Sequence, residues 1–159
     1  MYHAPGTPMT KAMPTIWIKR ERCKLAVTAL CRRGGKNLYI CTERLVIMQI
    51  LREKIDRDTL RRLAANTFGD MIKCVADVRR GLLAVDAGLH SDLERLLLDA
   101  GSSCEDLWGF NLYPDERGED FIEYDSLINI RSWQDNPSRD VLDPGVRSEI
   151  ASIVDKFVE

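Results

Sequence analysis

Residues 70–88, DMIKCVADVRRGLLAVDAG, decide whether this chain builds a sheet or a helical bundle. Ile72, Cys74, Ala76 and Val78 alternate and so share one side of an extended strand, and Arg79, Arg80 and Gly81 can turn the chain into a second strand, LLAV. Met71, Val75, Val78, Leu82 and Val85 also make a helical stripe. The turn signal between the two apolar runs favours a hairpin.

The flanking segments supply the rest of a mixed fold. Upstream, MQILREKI reads as a first strand and DRDTLRRLAANTFG as a helix, with Asp56 as N-cap, Leu60, Leu63, Ala64 and Thr67 on one face, and Gly69 past the end. Downstream, SDLERLLLDAG is expected to be a helix opened by a capping box of Ser91 and Glu94 and stopped by Gly101, with His90 just before it. DLWGFNLYP and DFIEYDSLINIR read as antiparallel strands joined by the acidic turn DERGED. In DPGVRSEIASIVDKFV, Asp143 caps a helix, Pro144 takes its first position, and Val146, Ile150, Ile153, Val154 and Phe157 form its apolar stripe. The expected fold is α+β, a mainly antiparallel sheet with helices packed on one face in two layers. Its other face is expected to be free.

That second face carries the candidate site. Along FIEYDSLINIR, strand alternation would send Ile122, Tyr124, Ile128 and Ile130 one way and Glu123, Asp125, Asn129 and Arg131 the other. From the neighbouring strand Asn111 and Tyr113 join them around Gly109, and the hairpin adds Lys73 and Asp77. Such a face can simply be solvated, as one side of an antiparallel sheet often is. Asp and Asn are poor strand formers, however, so Asp125 and Asn129 point to a specific role.

His90 is either a hydrogen-bonded structural residue or a ligand. With Glu123 and Asp125 it would make a one-histidine, two-carboxylate metal site; with Asp77 added and Arg131 to stabilise developing charge, that set would serve a divalent-metal-dependent hydrolase or nuclease. No HExxH or comparable spacing supports it. Cys74 reads as core and Cys104 as a surface thiol, and GGK at Gly34 to Lys36 lacks the spacing of a phosphate loop. The loop RSWQDNPSRDVL places Trp133 beside Gln134, Asn136, Ser138 and Arg139, where the ring can stack on a planar ligand or fold back as a lid. No motif names a cofactor.

Charge divides the chain. Residues 1–47 hold nine Lys or Arg and two Glu, a balance of +7, whereas residues 48–159 hold fourteen and 23, a balance of -9, within a net charge of -2. The organisation expected is a basic, poorly structured N-terminal extension over 1–47, disordered at its proline-rich start, and one α+β domain over 48–159. Nucleic acid could be bound only through the extension. Five cysteines without a CxxC pair suit reduced thiols in the cytoplasm. No run reaches the ~18 apolar residues of a membrane span, and KLAVTALC, followed at once by Arg32 and Arg33, is a poor export signal, so a soluble cytoplasmic protein is expected.

The segments FGDMIKCVADV, LHSDLERLLLDAGSSCEDLWGFNLYP and EDFIEYDSLINIR resemble a family of uncharacterised, mostly bacterial proteins catalogued as domain of unknown function 5674. The resemblance runs from about Met48 to the C-terminus and takes in the stretches holding His90, Asn111, Glu123, Asp125, Asn129 and Arg131. It implies no activity. The family pattern has a proline after the Arg131 position, where this chain has Ser132 and Trp133. The function expected from the residues is a small binding module that holds a small molecule or a protein partner on its polar sheet face, with the hydrolase or nuclease as the alternative.

Overall fold

The computed structural model describes residues 48–159; the expectations for residues 1–47 lie outside the described residues. Eight principal elements follow in order: β1 (Gln49–Ile50), α1 (Arg57–Thr67), β2 (Ile72–Asp77), β3 (Leu82–Val85), α2 (His90–Asp99), β4 (Leu107–Leu112), β5 (Ile122–Glu123) and α3 (Pro144–Phe157). The strands form one antiparallel sheet in the order β1-β3-β2-β4-β5. The fold is α+β.

The hairpin forms as its alternation predicts. Cys74 stands opposite Val85 and Ala76 opposite Leu83. Asp77 makes the turn: its Oδ1 accepts from the Arg80 amide at 2.8 Å, its carbonyl accepts from Gly81 at 2.9 Å, and Gly81 takes the left-handed φ of 62° that the turn demands. The helical stripe in the same residues arises because β2 is buried on both sides, with Val75 enclosed as completely as Cys74. A strand covered on both faces loses its polar alternation.

Two apolar clusters account for that burial. The larger packs Ile72, Cys74, Ala76, Leu83, Val85 and Phe110 against Leu60 of α1 and Ile150, Val154 and Phe157 of α3. The expected helix layer is thus built by α1 and α3. The intervening residues Val75, Ala84 and Leu107 pack with Leu93 and Leu97 of α2. The reverse face is therefore not free; α2 takes part of it, and the polar groups are confined to what remains.

Helix ends follow their residues, with one correction. Asp56 accepts from the Thr59 amide at 2.6 Å, and Asp143 accepts from Gly145 at 2.7 Å, so both expected caps are present. After α2, Gly101 at φ 89° donates to Leu98 O while Ser102 donates to Leu97 O, the paired bonds that close a helix at glycine. The capping box does not form. The cap lies two residues earlier, at Leu89, with no side-chain cap, and Glu94 turns instead to Arg131 and Cys104.

The second correction concerns FIEYDSLINIR. Only Ile122–Glu123 is strand; Ser126 then accepts from the Ile128 amide and starts a 3₁₀ turn over Leu127–Asn129. Short polar side chains that bond the local backbone compete with a sheet ladder. The expected two-faced strand is lost, and Ile130 faces solvent whereas Asn129 and Arg131 are buried.

The Asp77 turn gives a direct test. Asp77→Ala removes the acceptor for the Arg80 amide and should cost about 1–3 kcal/mol in urea unfolding of the full chain. Asp77→Asn keeps an acceptor there and should lose clearly less.

Candidate functional site

Strand β4 positions most of the site. Asn111 lies on its reverse face, opposite Lys73 of β2 and Glu123 of β5, and Tyr113 follows just beyond the strand end. Asn111 Nδ2 donates to Glu123 Oε2 at 2.8 Å, and the Tyr113 hydroxyl donates to the same oxygen at 3.1 Å. Two neutral donors thus orient one carboxylate. Among the described residues no cationic group pairs with Glu123. Burial, then the Glu123 bond, raise the Tyr113 hydroxyl above its ordinary range, with Asp70 and Asp125 adding in the same direction.

His90 comes to this cluster from the first residue of α2. Its Nε2 lies 2.9 Å from Phe110 O, and because a carbonyl only accepts, Nε2 carries the proton and Nδ1 the lone pair. Burial pushes the imidazole from 6.5 down to about 4; the Lys73 ammonium adds to this, while the Phe110 bond, Asn111 and Asp125 act against it. Asn111 is itself buried, and its Oδ1 has no hydrogen-bond partner. Asp125 is held at the margin by Arg139, 2.7 Å from its Oδ1.

The remaining candidates lie elsewhere. Asp77 is four residues along β2 from Lys73, about 13 Å away at strand spacing, and serves the turn. Asn129 faces Gly109: its Oδ1 accepts from the Gly109 amide and its Nδ2 donates to Gly109 O, each at 2.8 Å, with a further bond to Arg139 O at 2.8 Å. A side-chain amide so replaces the strand partner that β5 does not supply. Gly109 admits it because Ser126 and Ile128 crowd the site; a Cβ there would lie 2.5 Å from Ser126 Oγ and 3.0 Å from Ile128 Cγ1. Arg131 lies over the Trp108 ring, 5.2 Å from its centre, donates to Ile128 O at 3.0 Å and reaches Glu94 at 3.5 Å.

Among the described residues no three His, Cys, Asp or Glu side chains are gathered as a metal centre requires, and His90, Glu123 and Asp125 make no such set. Cys74 is buried, its thiol pushed far up by burial, and Cys104 is also shifted upward, so neither is primed as a nucleophile. Trp133 is exposed and does not act as a lid.

The residue most underestimated from the sequence is Asn136. Its Nδ2 donates to the carbonyls of Asn129, Ser138 and Asp140 at 2.8, 3.0 and 2.7 Å, and its Oδ1 accepts from Leu142 at 2.9 Å. An Asn followed by proline in a long polar loop was the available signal.

A family model described as "Protein of unknown function (DUF5674)" matches residues 49–157. The chain belongs to this family. The DUF5674 match begins in β1 and ends with α3, so the resemblance carried by DLWGFNLYP and its neighbours holds, and every candidate site residue falls inside it. No match exists among curated proteins or solved structures. Among the described residues no helix is long and apolar enough to cross a membrane.

Two measurements test this geometry. Asn129→Asp keeps the shape but replaces the donor that serves the Gly109 and Arg139 carbonyls with a charged acceptor; it should cost about 3 kcal/mol or more at neutral pH. The deficit against wild type should shrink in acid, where a protonated carboxyl regains one donor. His90 should titrate by NMR near pH 4, well below a free imidazole. The unfolded chain, titrating near 6.5, binds the extra proton first, so the His90 contribution to stability is present above pH 6.5 and is lost as pH falls toward 4. His90→Gln should flatten that part of the stability profile.

Proposed function

We propose that this chain is a small cytoplasmic binding protein, with one α+β domain over residues 48–159 behind a basic extension over 1–47, and that His90, Asn111, Tyr113, Glu123 and Asp125 form its binding surface. The ligand is a small molecule or a segment of a protein partner. The observation that carries this reading is the Glu123 carboxylate, fixed through Oε2 by Asn111 and Tyr113 and without a cationic partner among the described residues. Holding a charged acceptor in one orientation removes part of the ordering cost of binding. An ordinary solvated glutamate has no need of a buried asparagine behind it. Asp77, Asn129 and Arg131 support the scaffold in this reading and do not meet the ligand.

Thermal unfolding of the full chain against a panel of amines, amides, nucleosides and divalent metals tests the proposal. A ligand at 100 times its dissociation constant adds about 2.7 kcal/mol, enough to move the transition by several degrees. The shift should appear in the wild type and vanish in Glu123→Ala. A panel that shifts neither protein, or shifts both equally, would count against the Glu123 surface.

A further inference from the structure

The loop after β5 and the start of α3 enclose a cleft of about 620 Å³ that the Glu123 surface does not use. Trp108, Leu142, Pro144 and Val146 give it an apolar lining, and Asp135 and Asp143 give it two carboxylates; none of its lining residues is basic. The three arginines nearest in the chain are already committed, Arg131 to Glu94, Arg139 to Asp125 and Arg147 to Asp140. The Asp135 carboxylate has no hydrogen-bond or ion-pair partner among the described residues. Its backbone holds a left-handed φ of 58° at the end of the 3₁₀ turn Ser132–Gln134. Asp and Asn tolerate that conformation better than other side chains, so the position is suited to a short polar group.

Around the cleft the surface turns apolar. Leu142 is 51% exposed and Trp133, next in the chain to the lining residue Gln134, is 68% exposed. Leu127 and Ile130, at 70% and 47%, precede Trp133 at intervals of three through two successive 3₁₀ turns. Exposed apolar side chains clustered in one stretch of loop mark contact surfaces. A single amine would cover little of this. The volume and the flanking side chains suit several residues of peptide.

We propose that this cleft docks a short segment of a partner protein, with an arginine or lysine side chain entering beside Asp135 and Asp143 and leucine-like neighbours covering Leu142 and Trp133. The charge complementarity selects a basic residue, and the apolar lining selects a side chain with a long aliphatic stem. This site is separate from the Glu123 surface and does not depend on it.

The test is fluorescence anisotropy of the full chain with three fluorescein-labelled pentapeptides, Ala-Leu-Arg-Leu-Ala and its Gln and Glu counterparts. The Arg peptide should bind saturably below about 1 mM, with at least a tenfold loss for the Gln peptide and none measurable for the Glu peptide. The variant Asp135→Asn, Asp143→Ser should lose the same tenfold. Both changes leave the local backbone intact, because Asn accepts the left-handed conformation and Ser replaces Asp as a helix cap. Equal binding of the Arg and Gln peptides, an undiminished affinity in the variant, or no saturable binding of the Arg peptide overturns the proposal. Glu123→Ala should leave the Arg peptide unaffected.

Discussion

The fold of the C-terminal half depends on the contact between the Asn129 side chain and the Gly109 backbone. On its β5 side β4 has a strand partner only at Asn111 and Leu112, and its amide and carbonyl at Gly109 would be buried without partners. The carboxamide answers both at once because it has the donor and acceptor of a peptide group. Close approach is possible only where β4 lacks a side chain, so the glycine and the asparagine are one device split between two segments. Asn136 performs the next step, gathering three carbonyls and an amide, and thereby delivers the chain to Leu142 and the capped start of α3.

The polar residues of this domain therefore divide by task. Asn129, Asn136 and Arg131 are buried and bond the backbone of a long irregular segment, which otherwise lacks ladder partners. Asn111, Tyr113 and Glu123 bond one another at the opposite end of β4 and leave a charged group at the surface. A ligand at the second group would meet a scaffold already set by the first.

Much of this was legible in the residues. Asp56, Gly69, Gly101, Asp143 and Pro144 marked helix ends because their local chemistry acts whatever surrounds them. The hairpin was legible through Gly81, and the cluster of Asn111 with Glu123 followed from simple strand alternation. Ser91 misled because the choice of cap was settled by the seating of His90 against Phe110 O, a contact twenty residues away. The strand through Asp125 to Arg131 misled for a related reason: its alternation was real, but the local bonds of Ser126 and the distant glycine at 109 offered a better use of the same side chains. The role of α2 on the reverse face could not be read from one helix, since Leu93 and Leu97 would suit either side of the sheet.

The sheet begins and ends on strands of two residues, Gln49–Ile50 and Ile122–Glu123. Long open margins invite pairing with another chain, the first step toward swapped dimers and fibrils. Among the described residues each margin is too brief to serve as a template, and beside the second one a side-chain amide already bonds the β4 backbone at Gly109. The domain can thus keep its longer and more apolar strands, β3, β2 and β4, inside the sheet and leave little edge for another chain to pair with.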